Sequence, residues 1–467
     1  MLSGAVVRMS VVTVQLGQCG NQVGHQFFET LMSDLTSQGD KNSSCSIQYH
    51  SESLRRFFHD PQDEYLHPSE GPTTKVVPSA RAVLVDMEGK VVQNVAMQAK
   101  KSGSWNYDGK QLVSRKRGAG NNWADGFHEQ GPHVEEDVLE RVQREVEKCD
   151  AFAGFLTLMS VAGGTGSGVG TRITQVLQDN YPHAFLFNHL IWPHGTGEVI
   201  LQNYNAILSL AHLYQSADAV LVSHNDSMRT ICSQYATTAQ QNVSFQDMNK
   251  LIAHQMSISL QPAFLMSSGA ASFRRPSSFG CLLEHLVPHP DYKLLTLRSV
   301  PQVSEAALAF STFNYRSLVS RLRQMLITGT VIEEGINWHV KLPSKASSSS
   351  QHNKSLAALL TVRGKESHQA DTSEFTNSAL YADWLPASAA FAAQSQERLF
   401  GGQEKTAGLL SNCQTPVWPL DRVLGKAWGM FAMRAYVHWY TRYGMTEEEF
   451  IDCFAGLEQV VQNYKQL

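Results

Sequence analysis

Phe152-Ala-Gly-Phe-Leu-Thr-Leu-Met-Ser-Val161 runs directly into Ala162-Gly-Gly-Thr-Gly-Ser-Gly168, which opens an amphipathic run from Val169 to Tyr181. The first stretch is apolar at almost every position, as suits a strand buried on both faces. Glycines between a strand and a helix let the backbone approach a phosphate closely, while successive N–H groups and the helix N-terminus supply donors and positive potential. Thr165 and Ser167 add hydroxyls. A tight turn is the ordinary reading of a Gly-rich string, and the strand–loop–helix context weighs against it here.

Upstream, short apolar runs alternate with amphipathic ones, the pattern of a parallel α/β sheet. Val11 to Leu16 and Arg81-Ala-Val-Leu-Val-Asp86 read as strands. Val134, Val138, Val142 and Val146 recur every four residues, with Asp137 to Arg141 and Glu140 to Arg144 as supporting pairs, so a surface helix is expected there. A second loop, Gly17-Gln-Cys-Gly-Asn-Gln22, leaves the first strand and opens a helix, which sets it beside the Gly-rich loop at one sheet edge. A third, Ala119-Gly-Asn-Asn-Trp-Ala124, offers further amide donors. Walker A and GxGxxG spacings are absent, which disfavours P-loop NTPases and a nicotinamide-dependent oxidoreductase. So are GxSxG and HExxH, and Pro288 between His285 and His289 makes them poor helical metal ligands.

Ser33 to Ser53 and Pro343 to Ser355 are polar and Ser-rich and read as inserted loops. The last segment opens with the capping box Thr446-Glu-Glu-Glu449 and carries Phe450, Ile451, Phe454, Leu457, Val461 and Tyr464 at helical spacing. Its outer face suits solvent or a partner equally.

With 467 residues, 42% of them hydrophobic and 17% charged, the chain has material for more than one domain and a sizeable core. A net charge of -4 gives no basic field for nucleic acid. Seven scattered cysteines without a CxxC spacing argue against a disulfide framework or a zinc site and for a reducing compartment. No signal peptide and no apolar run of membrane-spanning length (~20 residues) is legible.

The loops GQCGNQ, AGNNWA and GGTGSG, in this order, resemble the phosphate loops of the tubulin superfamily, and the similarity extends from Met9 to Leu467. Ile191-Trp-Pro-His-Gly-Thr-Gly-Glu-Val-Ile200, Glu284-His-Leu-Val-Pro-His-Pro290, Val85-Asp-Met-Glu88 and the ending after Tyr464 resemble its delta subfamily. The resemblance implies GTP/GDP and Mg²⁺ as cofactors. It puts Gly17, Gln18, Cys19 and Gln22 along the phosphates and Asn121 on the terminal one. Ser160 and Ala162, Gly163, Gly164, Thr165, Gly166, Ser167 and Gly168 hold the rest. Glu88 matches the Mg²⁺ carboxylate, with Asp86 beside it. Glu198 matches a ribose contact, and Gln202 stands where α- and β-tubulins carry a glutamate. Asn225 and Asn249 match the pair that reads guanine, and Phe245 the ring that stacks on it, a Tyr in the common tubulins. Without the family, these last three read as a helix cap, a surface amide and a core aromatic.

Four further features depart from the α/β pattern. Cys281 stands where α-tubulin places the glutamate that positions the attacking water, and Glu284 falls one helical turn too late. A thiol accepts hydrogen bonds weakly, so the chain is not expected to complete a neighbour's hydrolytic site. Ala162 replaces a glycine, which is tolerable only with φ below zero. The sequence stops at Lys465-Gln-Leu467 without a glutamate-rich tail, so tail-mediated binding is not expected, and Met1 to Arg8 precede the position where related chains start.

The expected architecture is a Rossmann-like GTP-binding domain (1–224), a central helix starting near Asn225 (225–262), an α+β second domain (263–412) and C-terminal helices across both (413–467). The implied partners are other tubulins, epsilon-tubulin above all and α/β-tubulin besides. The implied place is the cytoplasmic cytoskeleton, at centrosome, centriole and basal body. The competing expectation is a soluble GTPase or tubulin-binding regulator that never enters a lattice.

Overall fold

The computed structural model describes residues 9–37, 44–59, 77–197, 199–235, 243–266, 277–304, 313–342 and 352–467. The extension before Met9, most of the Pro343–Ser355 segment and Glu198 lie outside the described residues. The strands are β1 (Ser10–Leu16), β2 (Phe58–His59), β3 (Ser79–Ala80), β4 (Ala82–Asp86), β5 (Leu112–Ser114), β6 (Phe152–Ser160), β7 (Phe185–Trp192), β8 (Ala219–His224), β9 (Phe264–Leu265), β10 (Leu294–Val300), β11 (Ser355–Gly364), β12 (Phe391–Gln396) and β13 (Lys405–Cys413). Eleven of them form one sheet in the order β5-β4-β1-β6-β7-β8-β10-β13-β11-β12-β9, and β2 pairs with β3 apart from it.

From β5 to β8 every neighbour is parallel. A short parallel ladder, Leu294 to Val220 and Leu295 to Leu221, then joins β10 to this half. Beyond it the sheet is mixed, with β13 antiparallel to both β10 and β11. The unbroken apolar run of β6 has a direct cause. Phe155 and Met159 face one packed layer with Val12, Val14 and Leu16, while Leu156 and Leu158 face the other with Val11. Both faces are dry, so no polar alternation survives in the sequence.

Helices Gly131–Glu147, Gly170–Asn180, Gln202–Ser216 and the C-terminal set close the first layer; Gly17–Thr36, Ser44–Phe57, Gly89–Ser102 and Phe245–Leu260 close the second. In Gly131–Glu147 the expected face is the buried one, Val134, Val138 and Val142 being fully covered. Outside it, Asp137 pairs with Arg141 and Glu140 with Arg144. The capping box at Thr446 and Glu449 forms with both of its bonds, starting a helix Glu447–Lys465. That helix buries Phe450, Phe454, Leu457, Val461 and Tyr464, each worth roughly 1.5–3 kcal/mol of gross burial. The Tyr464 hydroxyl accepts from the Leu294 N–H at 2.9 Å and lies 2.8 Å from Asn412 Oδ1, fastening the chain end to the neighbouring strands β10 and β13.

Two expectations need correction. Ser33–Ser53 is not a loop: Ser33–Thr36 complete the first helix, and residues 44–53 belong to Ser44–Phe57, while 38–43 lie outside the described residues. Buried Tyr49, Ser53, Leu54 and Phe57 form its inner face, and the Tyr49 hydroxyl donates to Asp34 Oδ2 at 2.7 Å. The surrounding serines masked that face. The helix beginning at Asn225 ends at Tyr235, and the deeply buried one is Phe245–Leu260, started by its own Ser244/Asp247 capping box. Because the box opens a new helix, the central element begins at Phe245 rather than near Asn225, more than five helical turns nearer the C-terminus of the chain than expected.

Burial holds His189 at about 3 and His212, His224 and His254 at about 4, against an ordinary value of 6.5. The folded chain keeps these rings neutral while the unfolded chain protonates them below 6.5, so their contribution to stability is complete above 6.5 and is lost as pH falls towards 4. Each adds at most about 1.4 kcal/mol per pH unit. The thermal midpoint is expected to drop steadily between pH 6.5 and 4.5; one that stays level across that range would contradict this assignment.

Candidate functional site

Four of the expected site segments emerge at the carboxyl end of a parallel strand: Gly17 after β1, Asp86 at the end of β4, Ser160 at the end of β6 and Asn225 after β8. The glycines there do more than open space for a ligand. A Cβ on Gly164 would lie 2.4 Å from the Ala119 carbonyl, and one on Gly168 would lie 2.2 Å from that of Trp123. Both positions therefore lock the Gly-rich loop against the Ala119–Ala124 loop. Gly17, at φ +71, has Gly166 N only 2.8 Å from its notional Cβ, which joins the first loop to the second. Gly163 differs, having only Asn121 Oδ1 within reach, at 3.3 Å. Ala162 is not among the residues with positive φ, so its methyl is accommodated.

The N–H groups from Gly163 to Ser167 make no hydrogen bond within the described residues. The helix Gly17–Thr36 likewise starts without a side-chain cap. Free donors and a helix dipole thus converge where the two loops touch. Thr165 is half-buried, whereas the Ser167 hydroxyl is turned inward and donates to the Gly163 carbonyl. Of the two hydroxyls expected to serve a ligand, Ser167 is already committed. Ser160 Oγ accepts from the Ala162 N–H at 3.3 Å. Gln18 is exposed, Gln22 half-buried, and burial pushes the Cys19 thiol up to about 12.

Asp86 Oδ1 accepts from the Glu88 N–H at 3.2 Å, while its Oδ2 is buried without a partner, as is Asn21 Oδ1. The Asn21 amide donates to Gly17 O (2.8 Å) and Val85 O (3.1 Å), holding the first loop beside this carboxylate. Burial raises the Asp86 carboxyl to about 6; the Glu88 N–H opposes that shift and the Glu88 charge adds to it. Orphaned hard oxygens beside an exposed Glu88 fit a hydrated Mg²⁺. Among the described residues no cluster of three His, Cys, Asp or Glu offers a closed metal cage.

At the other side, Phe245 is 59% exposed and its ring centroid lies 6.1 Å from that of His194. The His194 ring is held by Asp226 at 2.7 Å, and Asp226 also accepts from the Gly195 N–H. Asn225 is half-buried at the start of its helix and Asn249 is buried in the helix that Phe245 begins. Gln202 is not turned outward: its amide donates to the His194 carbonyl at 3.0 Å.

Residues 10–233 match the Tubulin/FtsZ family GTPase domain. The Mus musculus tubulin delta chain is 46% identical over 98% of this chain and 100% of its own length, and the Homo sapiens tubulin delta chain 45% over the same shares. The chain belongs to the tubulin family. The Porphyra purpurea tubulin beta chain is 28% identical over 98% of this chain and 92% of its own.

In this tubulin-family chain, Cys281 is exposed in the first turn of the helix Phe279–Leu286, its N–H donating to the Ser278 cap at 3.2 Å. Glu284 is also exposed, three residues on. Sequence reasoning missed Asn205 and Tyr440. The Asn205 amide contacts the Ala119–Ala124 and Ala162–Gly168 loops, and Tyr440 contacts Asn205. The only sign of Asn205 in this tubulin-family sequence is an amide at the head of an apolar helix.

Proposed function

We propose that the chain is a GTP-binding structural protein of the microtubule cytoskeleton. Guanine would stack on Phe245 and be read by Asn225 and Asn249, and the phosphates would lie on the free N–H groups of 163–167 and the start of the helix at Gly17. Glu88 and Asp86 would hold Mg²⁺, which supplies charge neutralisation on the phosphates when bound. The observation that carries this reading is the run of five N–H groups without a partner among the described residues, beside an uncapped helix N-terminus. The resemblance to delta-tubulins supports a place in centriole and basal-body assembly, with epsilon-tubulin or α/β-tubulin as neighbours. With Cys281 at the position of the water-orienting glutamate, GTP on an adjoining subunit is not expected to be hydrolysed through this chain.

The test is to purify the chain, identify the nucleotide it retains, and compete it with GTP and ATP. GTP is expected to displace it and ATP not; equal competition sinks the proposal. Phe245→Ala is expected to weaken GTP binding roughly 5- to 100-fold, since aromatic stacking of a base contributes ~1–3 kcal/mol. Rapid hydrolysis by the isolated chain would instead favour a non-lattice GTPase.

A further inference from the structure

We propose that Asn205 is the positioning residue that fixes the spacing of two of the phosphate loops, Ala119–Ala124 and Ala162–Gly168, and that Tyr440 couples that setting to the exposed segment 433–443. The inference rests on the reading of these loops as a nucleotide site. A side-chain amide has two N–H donors and two acceptor lone pairs, and Asn205 uses all four. Nδ2 donates to the carbonyls of Asn121 (2.9 Å) and Ala162 (2.8 Å), one in each loop. Oδ1 accepts from the Trp123 N–H (3.0 Å) and the Tyr440 hydroxyl (2.7 Å). The side chain is fully buried, so water cannot replace any of these partners without the loops parting.

The same helix reaches the C-terminal segment at a second point, where the Tyr204 hydroxyl donates to the Ala435 carbonyl at 3.1 Å. Asn122 reaches it from the loop, donating to the Trp439 carbonyl at 2.9 Å. Strain gathers here. Of the four non-glycine residues with positive φ among the described residues, three are Asn121, Arg434 and Tyr436, all held by these contacts or next to them. Such backbone persists only where its surroundings over-determine it. Met433 and Trp439 on this segment are 75% and 47% exposed. A ligand that shifts the Asn121 or Ala162 carbonyl therefore acts on Asn205, and through Tyr440 on a surface that faces outward.

Two full-length variants separate the parts. Asn205→Asp keeps the acceptor oxygens and loses both donors; Tyr440→Phe keeps its volume and loses only the hydroxyl. The readouts are affinity for a fluorescent GTP analogue with Mg²⁺, thermal midpoint, and hydrogen exchange of 433–443 with and without GTP. Asn205→Asp is expected to weaken binding about tenfold or more, from two lost hydrogen bonds. Tyr440→Phe is expected to bind within about threefold of wild type, its partner amide keeping three of four bonds, yet to lose the GTP-dependent protection of 433–443 that wild type shows. A merely structural role would move the midpoint and not that protection. Wild-type affinity in Asn205→Asp, or retained protection in Tyr440→Phe, overturns the inference. A wild-type chain that binds no GTP overturns the site reading instead.

Discussion

Gly164→Ala is expected to abolish nucleotide retention and to lower stability together, although the added group is one methyl. That methyl would sit 2.4 Å from the Ala119 carbonyl, 2.8 Å from the Ala119 Cβ and 2.9 Å from the Asn122 N–H. Two of those atoms are backbone and the third is fixed on it, so none can swing aside. Either the Gly-rich loop or the Ala119–Ala124 loop must move, and overpacking of this kind costs about 1–3 kcal/mol. The displaced loop also carries the free N–H groups, so binding fails for the same reason. Gly163→Ala is the matched control: its methyl meets only Asn121 Oδ1, at 3.3 Å, and the fold should tolerate it. Melting curves and nucleotide content of the two variants decide the matter. If Gly164→Ala melts like wild type and Gly163→Ala does not, the packing role assigned to Gly164 is wrong.

Arg363→Leu is expected to cost more than any surface substitution, about 3–5 kcal/mol in urea unfolding. Arg363 is 1% exposed at the end of β11. Its Nε donates to the Ile258 carbonyl at 2.7 Å, and its Nη2 to that of Gln261 at 2.7 Å. These are carbonyls that a helix end leaves unpaired, here the end of Phe245–Leu260. Arg56, from the first half of the chain, takes the Leu260 carbonyl at 2.8 Å and that of Ser277 at 3.0 Å. Leucine fills part of the space and strands two buried carbonyls, each about 1–3 kcal/mol unfavourable when unmet. An unfolding midpoint within experimental scatter of wild type would show that other donors can reach them.

How much of this was legible beforehand depended on where each signal lay along the chain. Strand, loop and helix around Ala162–Gly168 could be read because β6 is dry on both faces and the turn must be glycine-rich. The paired valines of Gly131–Glu147 and the box at Thr446 were equally local. Ser44–Phe57 was misread because its apolar face is diluted by serines and polar residues, and only contact with Asp34 and the second layer shows which side is inner. Arg363, at the end of an apolar strand, carries no local sign of its role. Its partners lie over a hundred residues away, and spacing carries no information at that range.

The sequence by itself determined the parallel α/β half, the loops at its carboxyl edge and the family, because those features are written in contiguous periodicity and in glycines that must occur next to a strand. Tertiary structure alone decided that Gly164 and Gly168 clamp one loop to another, that Ser167 turns inward and that Asn205 and Tyr440 tie the site to the chain's last helices. Those roles depend on which backbone atoms meet across the sheet edge, and a hydrogen bond or a 2.4 Å clash between distant residues leaves no periodic trace in either.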